Sequence, residues 1–377
     1  MNKFCEYPFT GLFLNTNGDI KFRCAGSFPL GNIKEDIPSN ILLGKKANKI
    51  RENILLGKQE SYCSYCDLAE KGGSISQRKI TNPKNFSEPA DFQLTSMDLR
   101  WNNTCNLSCI YCNSQFSSKW ASILQDNFEK NSEDTDARLL EFIRDNKDDV
   151  FSVELLGGEP LLQKQNLDLI DILPDKHYYV LSNMAIDVKN NDVAKKLLTL
   201  GNKVKWAVSF ETIKQKFEYI RHGAKWDLFE ENFKYISNTS DSKLAIHATY
   251  CLPSALSLVE FCDYVYYSDY FDSITFQLLT SPISLNVFAS TPEIKKLAIE
   301  QLDTCIDKYE TYFSADIIQL VNIRESLLTH VDDNEVTNVN DEKIEFDSWI
   351  EELETKLLNK DVNFYSLWNE LSVDKIP

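Results

Sequence analysis

Three closely spaced cysteines, directly after a strand-like segment, constrain the fold of this chain more than any other feature. Cys105, Cys109 and Cys112 have the spacing C-x3-C-x2-C and come after the alternating segment 97–101. Thiolates at this spacing can each bind one iron of a cubic iron–sulfur cluster. No fourth cysteine follows closely, so one iron would stay open to a ligand. A zinc site and buried structural thiols are the alternatives.

A glycine-rich turn follows the next strand-like segment. Gly157, Gly158, Glu159 and Pro160 come directly after the alternating segment 151–156. A glycine pair marks a turn as readily as a ligand site, so this motif is weak by itself. The separation of the two motifs fits a strand–helix–strand unit, in which both would lie at the carboxyl ends of parallel strands, where ligands bind.

In this order, the cysteine run, with Tyr111 before its last cysteine, and the Gly-Gly-Glu-Pro turn resemble the radical S-adenosylmethionine (radical SAM) superfamily. The resemblance implies a [4Fe–4S] cluster on the three cysteines whose open iron binds the methionine end of S-adenosylmethionine (SAM). It implies that an external electron donor of flavodoxin or ferredoxin type reduces this cluster. SAM would then be cleaved to a 5′-deoxyadenosyl radical that takes a hydrogen atom from the substrate.

The resemblance also implies which residues contact SAM. They are Tyr111, Gly157, Gly158, Glu159, Asn183, Ser209 and Arg221. Glu159 would pair with the ammonium group of SAM, and Arg221 with its carboxylate, for which a bidentate guanidinium is apt. Ser209 would contact ribose or carboxylate. The alternatives are ordinary structural roles, namely a turn, a capping hydroxyl, an ion pair and a core aromatic ring.

Four cysteines precede the motif and form a second candidate metal site. They are Cys5, Cys24, Cys63 and Cys66. Only one pair is close, whereas a four-cysteine zinc site usually has two close pairs. The layout resembles the auxiliary-cluster modules called SPASM and twitch, which accompany many radical SAM enzymes and commonly follow the barrel. The resemblance implies a second [4Fe–4S] cluster of the single-cluster twitch type, with structural zinc as the alternative.

The predicted fold class is α/β, a partial (β/α)6 TIM-like barrel, because strand-like and helix-like segments alternate from about residue 91. The candidate strands are 96–101, 151–156, 177–182, 204–210, 244–250 and 273–279. Residues 12–22 are predicted to form a hairpin around Asn17-Gly18. The predicted domains are an auxiliary-cluster module at 1–90, the barrel at 91–290 and a helical extension at 291–377.

Composition narrows the partners and the compartment. The chain has 40 Lys and Arg against 57 Asp and Glu, a formal net charge of −17 that makes nucleic acid an unfavoured partner. No apolar run approaches the ~20 residues that cross a bilayer, and the N-terminus lacks a signal-peptide profile. No membrane partner is therefore expected. Cysteines in ligand-like spacings fit a reducing compartment, so a cytoplasmic location is predicted.

The predicted function is that of a radical SAM oxidoreductase or maturase that oxidises, crosslinks or epimerises a peptide. One alternative is a dehydrogenase or epimerase of a small molecule such as a sugar or aminocyclitol. Another is a non-catalytic iron–sulfur or zinc protein. Cys251, Cys262 and Cys305 show no pair spacing and are predicted to be buried thiols. Cys251, directly after the predicted strand 244–250, is also a candidate hydrogen-atom donor.

Overall fold

The structure, a computed structural model, describes residues 4–23, 26–71, 76–81, 91–309, 314–332, 339–358 and 362–368. Contacts divide the chain into two units. The first comprises residues 1–105, 127–180 and 191–205, and the second comprises 106–126, 181–190 and 206–377. Cys24 lies outside the described residues.

The elements described are these. The strands are β1 Gly11–Leu14, β2 Asp19–Lys21, β3 Gly31–Asn32, β4 Ser96–Leu99, β5 Ser152–Leu155, β6 His177–Ser182, β7 Val204–Ser209, β8 Leu244–Tyr250 and β9 Phe271–Leu278. The helices are α1 Tyr7–Thr10, α2 Pro38–Leu43, α3 Lys45–Leu55, α4 Ser64–Lys71, α5 Gln77–Thr81, α6 Ser118–Leu124, α7 Glu133–Asp145, α8 Gln165–Ile172, α9 Asp192–Leu198, α10 Lys214–Ile220, α11 Trp226–Ser240, α12 Leu252–Ala255, α13 Leu258–Ser268, α14 Pro292–Tyr309, α15 Ser314–Asp332, α16 Val339–Glu352 and α17 Phe364–Leu367. A π-helical turn, Leu353–Leu357, continues α16.

The first unit contains a mixed sheet in the order β3-β2-β1-β4-β5-β6. The predicted hairpin is confirmed, since β1 and β2 pair antiparallel. Strand β1 also pairs in parallel with β4, which pairs in parallel with β5, and β5 with β6. All four residues of β1 are buried, as in an internal strand covered on both faces. The hairpin therefore extends the strands that lead to the cysteine motif.

The second unit contains the parallel strands β7, β8 and β9. Its core is aromatic and surrounds Phe210, which directly follows β7 and has no exposed surface. The rings of Phe229 and Phe261 lie 5.2 Å from the ring of Phe210, and that of Phe271 lies at 5.5 Å. Fully burying one such side chain stabilises a fold by about 1.5–3 kcal/mol. This packing holds the crossover helices α11 and α13 against β7 and β9.

The predicted α/β fold is confirmed, with a mostly parallel sheet that is consistent with a partial TIM-like core. All six predicted strands are present, and β9 begins two residues earlier than expected, at Phe271. The domain limits near residues 90 and 290 stay predictions. Among the described residues, no helix is both long enough and apolar enough to cross a membrane.

We expect the stability of the second unit to depend on pH through Asp316 of α15. Its Oδ2 accepts a hydrogen bond from the Ile274 N–H at 3.0 Å, and burial raises the pKa of Asp316 to about 6. Between about pH 4 and pH 6 the native state keeps a proton that the unfolded chain has lost, because a free aspartate has a pKa of about 3.9. The free energy of unfolding contributed by Asp316 therefore falls as the pH rises through this window, and is constant above it.

The change Asp316→Asn keeps an acceptor oxygen and removes the buried charge. We expect it to raise the free energy of unfolding at pH 7.5 by about 1–2 kcal/mol, and to have little effect at pH 4. Denaturant titrations at the two pH values measure this difference. Asp307→Asn, at an exposed position of α14, is the control. Equal effects of the two substitutions at pH 7.5 would contradict the prediction.

Candidate active site

The three motif cysteines lie on the loop between β4 and α6, and all three side chains are partly exposed. Cys105 belongs to the first unit, whereas Cys109 and Cys112 belong to the second. Within the ranges that the structure describes, no three His, Cys, Asp or Glu side chains are grouped as a metal site. The ligands of the predicted cluster stay a prediction, and their thiol chemistry and partial exposure suit iron.

In the first unit, the Gly-Gly-Glu-Pro turn packs against the residue before Cys105. The Glu159 N–H donates to the Thr104 carbonyl at 2.8 Å. A Cβ at Gly158 would lie 2.3 Å from the same carbonyl oxygen, so only glycine fits there. Gly157 has a φ of +114°, a conformation that L residues rarely adopt. The glycine at position 158 therefore lets the turn approach the cysteine loop closely, and the contact of both glycines with SAM stays a prediction.

Glu159 is fully buried behind this turn. Its Oε1 accepts a hydrogen bond from the Leu161 N–H at 3.1 Å, which caps the short helical turn Pro160–Leu162. The carboxylate thus has a structural role at the turn. A buried carboxylate beside a glycine turn also suits an ammonium group, because charge-assisted hydrogen bonds compensate its burial. The predicted contact with SAM is compatible with this position and stays a prediction.

Gln163 braces the start of the cysteine loop, a role that sequence reasoning missed. Its Oε1 accepts from the Trp101 N–H at 3.0 Å, and its Nε2 donates to the Asn102 carbonyl at 3.2 Å. The Trp101 indole donates to Asn166 Oδ1 at 2.8 Å. Gln163 is 1% exposed, so both ends of its amide are satisfied inside the protein. A polar residue after the apolar pair Leu161-Leu162 was the available signal.

In the second unit, the rest of the cysteine loop pairs with the end of α10 and the residues that follow it. The Ser108 N–H donates to the His222 carbonyl at 3.0 Å, and the Ile110 N–H donates to the Ile220 carbonyl at 2.9 Å. The Trp120 indole of α6 donates to the Cys109 carbonyl at 2.8 Å. These hydrogen bonds fix the backbone that carries Cys109 and Cys112. Burial raises the pKa of the free Cys112 thiol to about 12.

Tyr111 and Arg221, both predicted to contact SAM, meet at a third residue, Glu211. The Tyr111 hydroxyl donates to Glu211 Oε1 at 3.1 Å, and Arg221 Nη2 lies 2.6 Å from Glu211 Oε2. The Arg221 guanidinium also lies over the Tyr111 ring, 5.8 Å from its centroid. Arg221 and Glu211 are 5% and 2% exposed, so this ion pair is buried. Glu211 was missed, although a charged residue directly after the predicted strand 204–210 was a signal.

The electrostatics of this pair favour a fixed positive charge at Arg221. Burial opposes that charge, but the adjacent Glu211 carboxylate more than offsets it, so the pKa of Arg221 is raised above its usual value. Burial also raises the pKa of Tyr111 well above its usual value. Tyr111 thus stays a neutral donor.

Two buried donors near this pair lack hydrogen-bond partners in the described structure. They are Arg221 Nε and the Thr212 hydroxyl, and Thr212 is 1% exposed. Leaving a buried donor unpaired costs about 1–3 kcal/mol, so such groups call for an acceptor that is supplied from elsewhere. A carboxylate or ribose of SAM offers such acceptors. The donor set of the second unit therefore fits the cofactor implied by the resemblance.

Asn183 and Ser209 lie at strand ends, as predicted. Ser209 is the last residue of β7 and is partly buried. The Asn183 Nδ2 donates to Asn106 Oδ1 at 2.9 Å, and Asn106 Nδ2 donates to the Ala185 carbonyl at 2.7 Å. Asn183 is thus placed against the residue that follows Cys105 in sequence. These hydrogen bonds favour a role of Asn183 in bracing the cysteine loop. A contact with SAM stays a prediction for Asn183 and for Ser209.

The remaining cysteines of the second unit are buried, as predicted. Cys251 has no exposed surface and directly precedes the short helix α12. Burial raises the pKa of its thiol to about 12. The Cys262 and Cys305 side chains interact, which raises the pKa of Cys262 together with burial. Sequence spacing did not indicate this pair. The role of Cys251 as a hydrogen-atom donor stays a prediction.

Three of the four cysteines of the second candidate metal site surround one small cavity in the first unit. Cys5, Cys63 and Cys66 line a cavity of about 30 Å³, and Cys24 lies outside the described residues. Burial raises the pKa of the Cys5 thiol to about 12 and that of the Cys63 thiol to about 11. Thiols are the ligand type that a cluster or a zinc ion takes, and the role of these three cysteines as ligands stays a prediction.

A buried arginine lies beside this cavity. Arg78 Nη2 is 2.9 Å from Asp67 Oδ1 and 2.7 Å from Glu70 Oε2, and the Ser76 hydroxyl donates to Glu70. The Arg78 side chain is 4% exposed. Burial raises the pKa of Cys63, and the positive charge of Arg78 opposes this increase without cancelling it. The ion pair thus ties α4 to α5 next to the thiols.

Comparison with known protein families supports the superfamily to which the motif points. Residues 99–249 match the model described as the radical SAM superfamily. This range contains the three motif cysteines, the Gly-Gly-Glu-Pro turn and Arg221. A search of curated proteins finds no match.

Two kinds of solved structure resemble this chain at low identity. Native anSMEcpe with bound AdoMet is 15% identical, with a TM-score of 0.43, over 58% of this chain and 62% of that chain. Streptococcus suis SuiB bound to S-adenosylmethionine is 15% identical, with a TM-score of 0.42, over 69% of this chain and 63% of that chain. This chain therefore spans less than two thirds of the length of either protein.

Proposed function

We propose that this chain is a radical SAM enzyme that removes a hydrogen atom from a peptide and thereby oxidises, crosslinks or epimerises it. The family match over residues 99–249 supports the radical SAM part. The observation that carries the proposal is the packing of the Gly-Gly-Glu-Pro turn on Thr104, one residue before Cys105. This packing brings the predicted SAM-binding turn next to a predicted iron ligand.

Each part of the predicted site has a distinct task in this proposal. The thiolates of Cys105, Cys109 and Cys112 would hold the cluster. Glu159 would accept hydrogen bonds from the ammonium group of SAM, and Arg221 Nε would donate to its carboxylate. When bound, the cluster and SAM supply the electron transfer and the radical chemistry. The protein orients these groups and excludes water.

The proposal of a second cluster rests on the N-terminal cysteines. Their layout resembles auxiliary modules that accompany many radical SAM enzymes, and Cys5, Cys63 and Cys66 share one cavity. We propose that these three residues and Cys24 hold a second [4Fe–4S] cluster. It would take up or relay an electron, or brace the substrate side.

Formation of 5′-deoxyadenosine tests the enzyme assignment. Anaerobically reconstituted protein, given dithionite and SAM, is expected to release 5′-deoxyadenosine and methionine. Cys105→Ala should reduce this release by about 1,000-fold or more, because one iron loses its protein ligand. Cys262→Ala, at a buried cysteine outside the motif, is the control and should retain cleavage. Wild-type protein that carries a cluster but releases no 5′-deoxyadenosine would exclude the enzyme.

Iron and sulfide analysis tests the second cluster separately. Two [4Fe–4S] clusters predict about eight iron and eight sulfide per chain. Cys63→Ser should leave about four of each, with the signal of the SAM-binding cluster unchanged. If the wild-type protein contains about four iron together with zinc, the second site is a structural zinc site and the second cluster is absent.

A further inference from the structure

The C-terminal segment, defined here as residues 346–358 and 362–368, packs against the cysteine loop of the second unit. One buried apolar cluster contains residues of both elements. Its members are Ile110, Trp120, Tyr219, Ile220, Cys251, Leu252, Leu256, Leu285, Ile294, Ile350, Leu353, Leu358, Phe364 and Trp368. Tyr111 and Cys112, which are partly buried, pack against the same cluster. A segment distant in sequence thus forms part of the surroundings of two motif residues.

A buried carboxylate anchors this segment. Glu354 is 9% exposed, and its Oε1 accepts from the Tyr219 hydroxyl at 2.8 Å and from the Phe364 N–H at 2.5 Å. Its Oε2 accepts from Asn363 Nδ2 at 3.2 Å. Hydrogen bonds to an ionised group are stronger than neutral ones. Glu354, which lies in the π-helical turn, therefore connects this turn both to α10 and to the first residue of α17.

Trp368 contacts the same tyrosine from another side. Its indole N–H donates to the Pro253 carbonyl and to Ser257 Oγ, each at 2.9 Å. Its ring lies 5.5 Å from the Tyr219 ring and 4.8 Å from the Phe364 ring. Trp368 has no exposed surface. Tyr219 is thus restrained by a hydrogen bond at its hydroxyl and by aromatic contacts at its ring.

The residues that follow Tyr219 hold the cysteine loop. Ile220 and His222 accept the backbone hydrogen bonds of Ile110 and Ser108. Arg221, between them, pairs with Glu211, which accepts from Tyr111. A displacement of Tyr219 would therefore move the carbonyl groups of Ile220 and His222. The residues that donate to them, Ile110 and Ser108, are the two neighbours of Cys109 in sequence.

We propose that the C-terminal segment is a positioning element of the cysteine loop, and that it acts through Tyr219 to hold Cys109 and Cys112 in place. Glu354 is its principal anchor. The positioning itself is independent of the cluster, whereas its consequence for cluster retention rests on the proposed function.

Alkylation of the cluster-free protein tests the positioning directly. Glu354→Ala removes the anchor, and Tyr219→Phe removes only the hydroxyl that donates to it. Glu351→Ala, one turn earlier and exposed, is the matched control. Iodoacetamide labelling followed by mass spectrometry gives the rate at each cysteine. We expect Cys109 and Cys112 to react about ten-fold faster in Glu354→Ala, because local opening becomes easier, and at the wild-type rate in the control.

The labelling is carried out well below the unfolding temperature of each variant, and the rate at Cys63 of the first unit serves as the internal reference. A smaller acceleration at Cys109 and Cys112 in Tyr219→Phe would support the proposal even if Glu354→Ala failed to fold. Wild-type rates in both folded variants would overturn it, as would an equal acceleration at Cys63, because that result reports global loosening.

A second readout uses the reconstituted protein. Glu354→Ala should lose iron to a chelator about ten-fold faster than Glu351→Ala, and the change that SAM causes in the electron paramagnetic resonance signal of its reduced cluster should be weaker. Equal iron loss and equal spectral changes would overturn the role in cluster retention. If the wild-type protein assembles no cluster, the proposed function is wrong. The alkylation rates would still show whether the C-terminal segment positions the cysteine loop.

Discussion

Replacing Gly158 with alanine is expected to lower the free energy of unfolding by about 2–4 kcal/mol, because the added methyl group overlaps backbone atoms. Its Cβ would lie 2.3 Å from the Thr104 carbonyl oxygen and 2.8 Å from that of Asn103. Backbone atoms cannot rotate away as a flexible side chain does. The loop must therefore move, and the hydrogen bond from the Glu159 N–H to Thr104 is lost. Denaturant titration measures the loss.

Because Thr104 precedes Cys105, we also expect Gly158→Ala to retain less iron after reconstitution than the wild type. Gly57→Ala is the matched control. Gly57 has a φ of +63°, and an added Cβ there meets nothing within 4 Å. Only the cost of a left-handed alanine, about 1–2 kcal/mol, applies at that position, and the iron content should be unchanged. Equal iron contents of the two variants would show that the turn does not support the cysteine loop.

Replacing Glu211 with alanine is expected to lower the free energy of unfolding by about 3–5 kcal/mol, because it leaves a buried charge without its partner. Arg221 is 5% exposed and its Nη2 lies 2.6 Å from the Glu211 carboxylate. The Tyr111 hydroxyl would lose its acceptor as well. Denaturant titration without SAM measures this loss, so that cofactor binding does not contribute.

The exposed ion pair between Lys189 and Glu231 provides the control. Glu231→Ala is expected to lower the free energy of unfolding far less than Glu211→Ala does, because solvent screens exposed pairs. The double change Glu211→Leu with Arg221→Leu should be more stable than Glu211→Ala alone, since no buried charge remains. If Glu211→Ala and Glu231→Ala were equally stable, the buried pair would contribute nothing beyond a surface pair.

Strand positions could be predicted because they depend on local patterns. The alternation in residues 151–156 and 177–182 corresponds to β5 and β6, in which alternate side chains are buried. Asn17-Gly18 indicated the hairpin for the same reason. The parallel pairing of β1 with β4 was not predictable, since it joins residues that are far apart in sequence and depends on burial of β1 on both faces.

In the candidate site, too, the residues that belong to a local motif were predictable, and those defined by distant contacts were not. Ligand spacing predicted Cys105, Cys109 and Cys112 as iron ligands, because three thiols within one loop are a local property. It did not indicate Glu211 or Gln163, whose functions consist of hydrogen bonds with residues remote in sequence. Arg221 was predicted to contact SAM from the resemblance, whereas its buried partner Glu211 was not predicted.

The sequence by itself determined the α/β class, the order of the strands along the chain and the chemistry of the candidate metal ligands, since each depends on the type and spacing of neighbouring residues. Only the tertiary structure decided that Gly158 packs on Thr104, that Glu211 pairs with Arg221, and that Glu354 accepts from Tyr219. Such contacts become favourable only when chain folding removes both partners from water, so no local pattern records them.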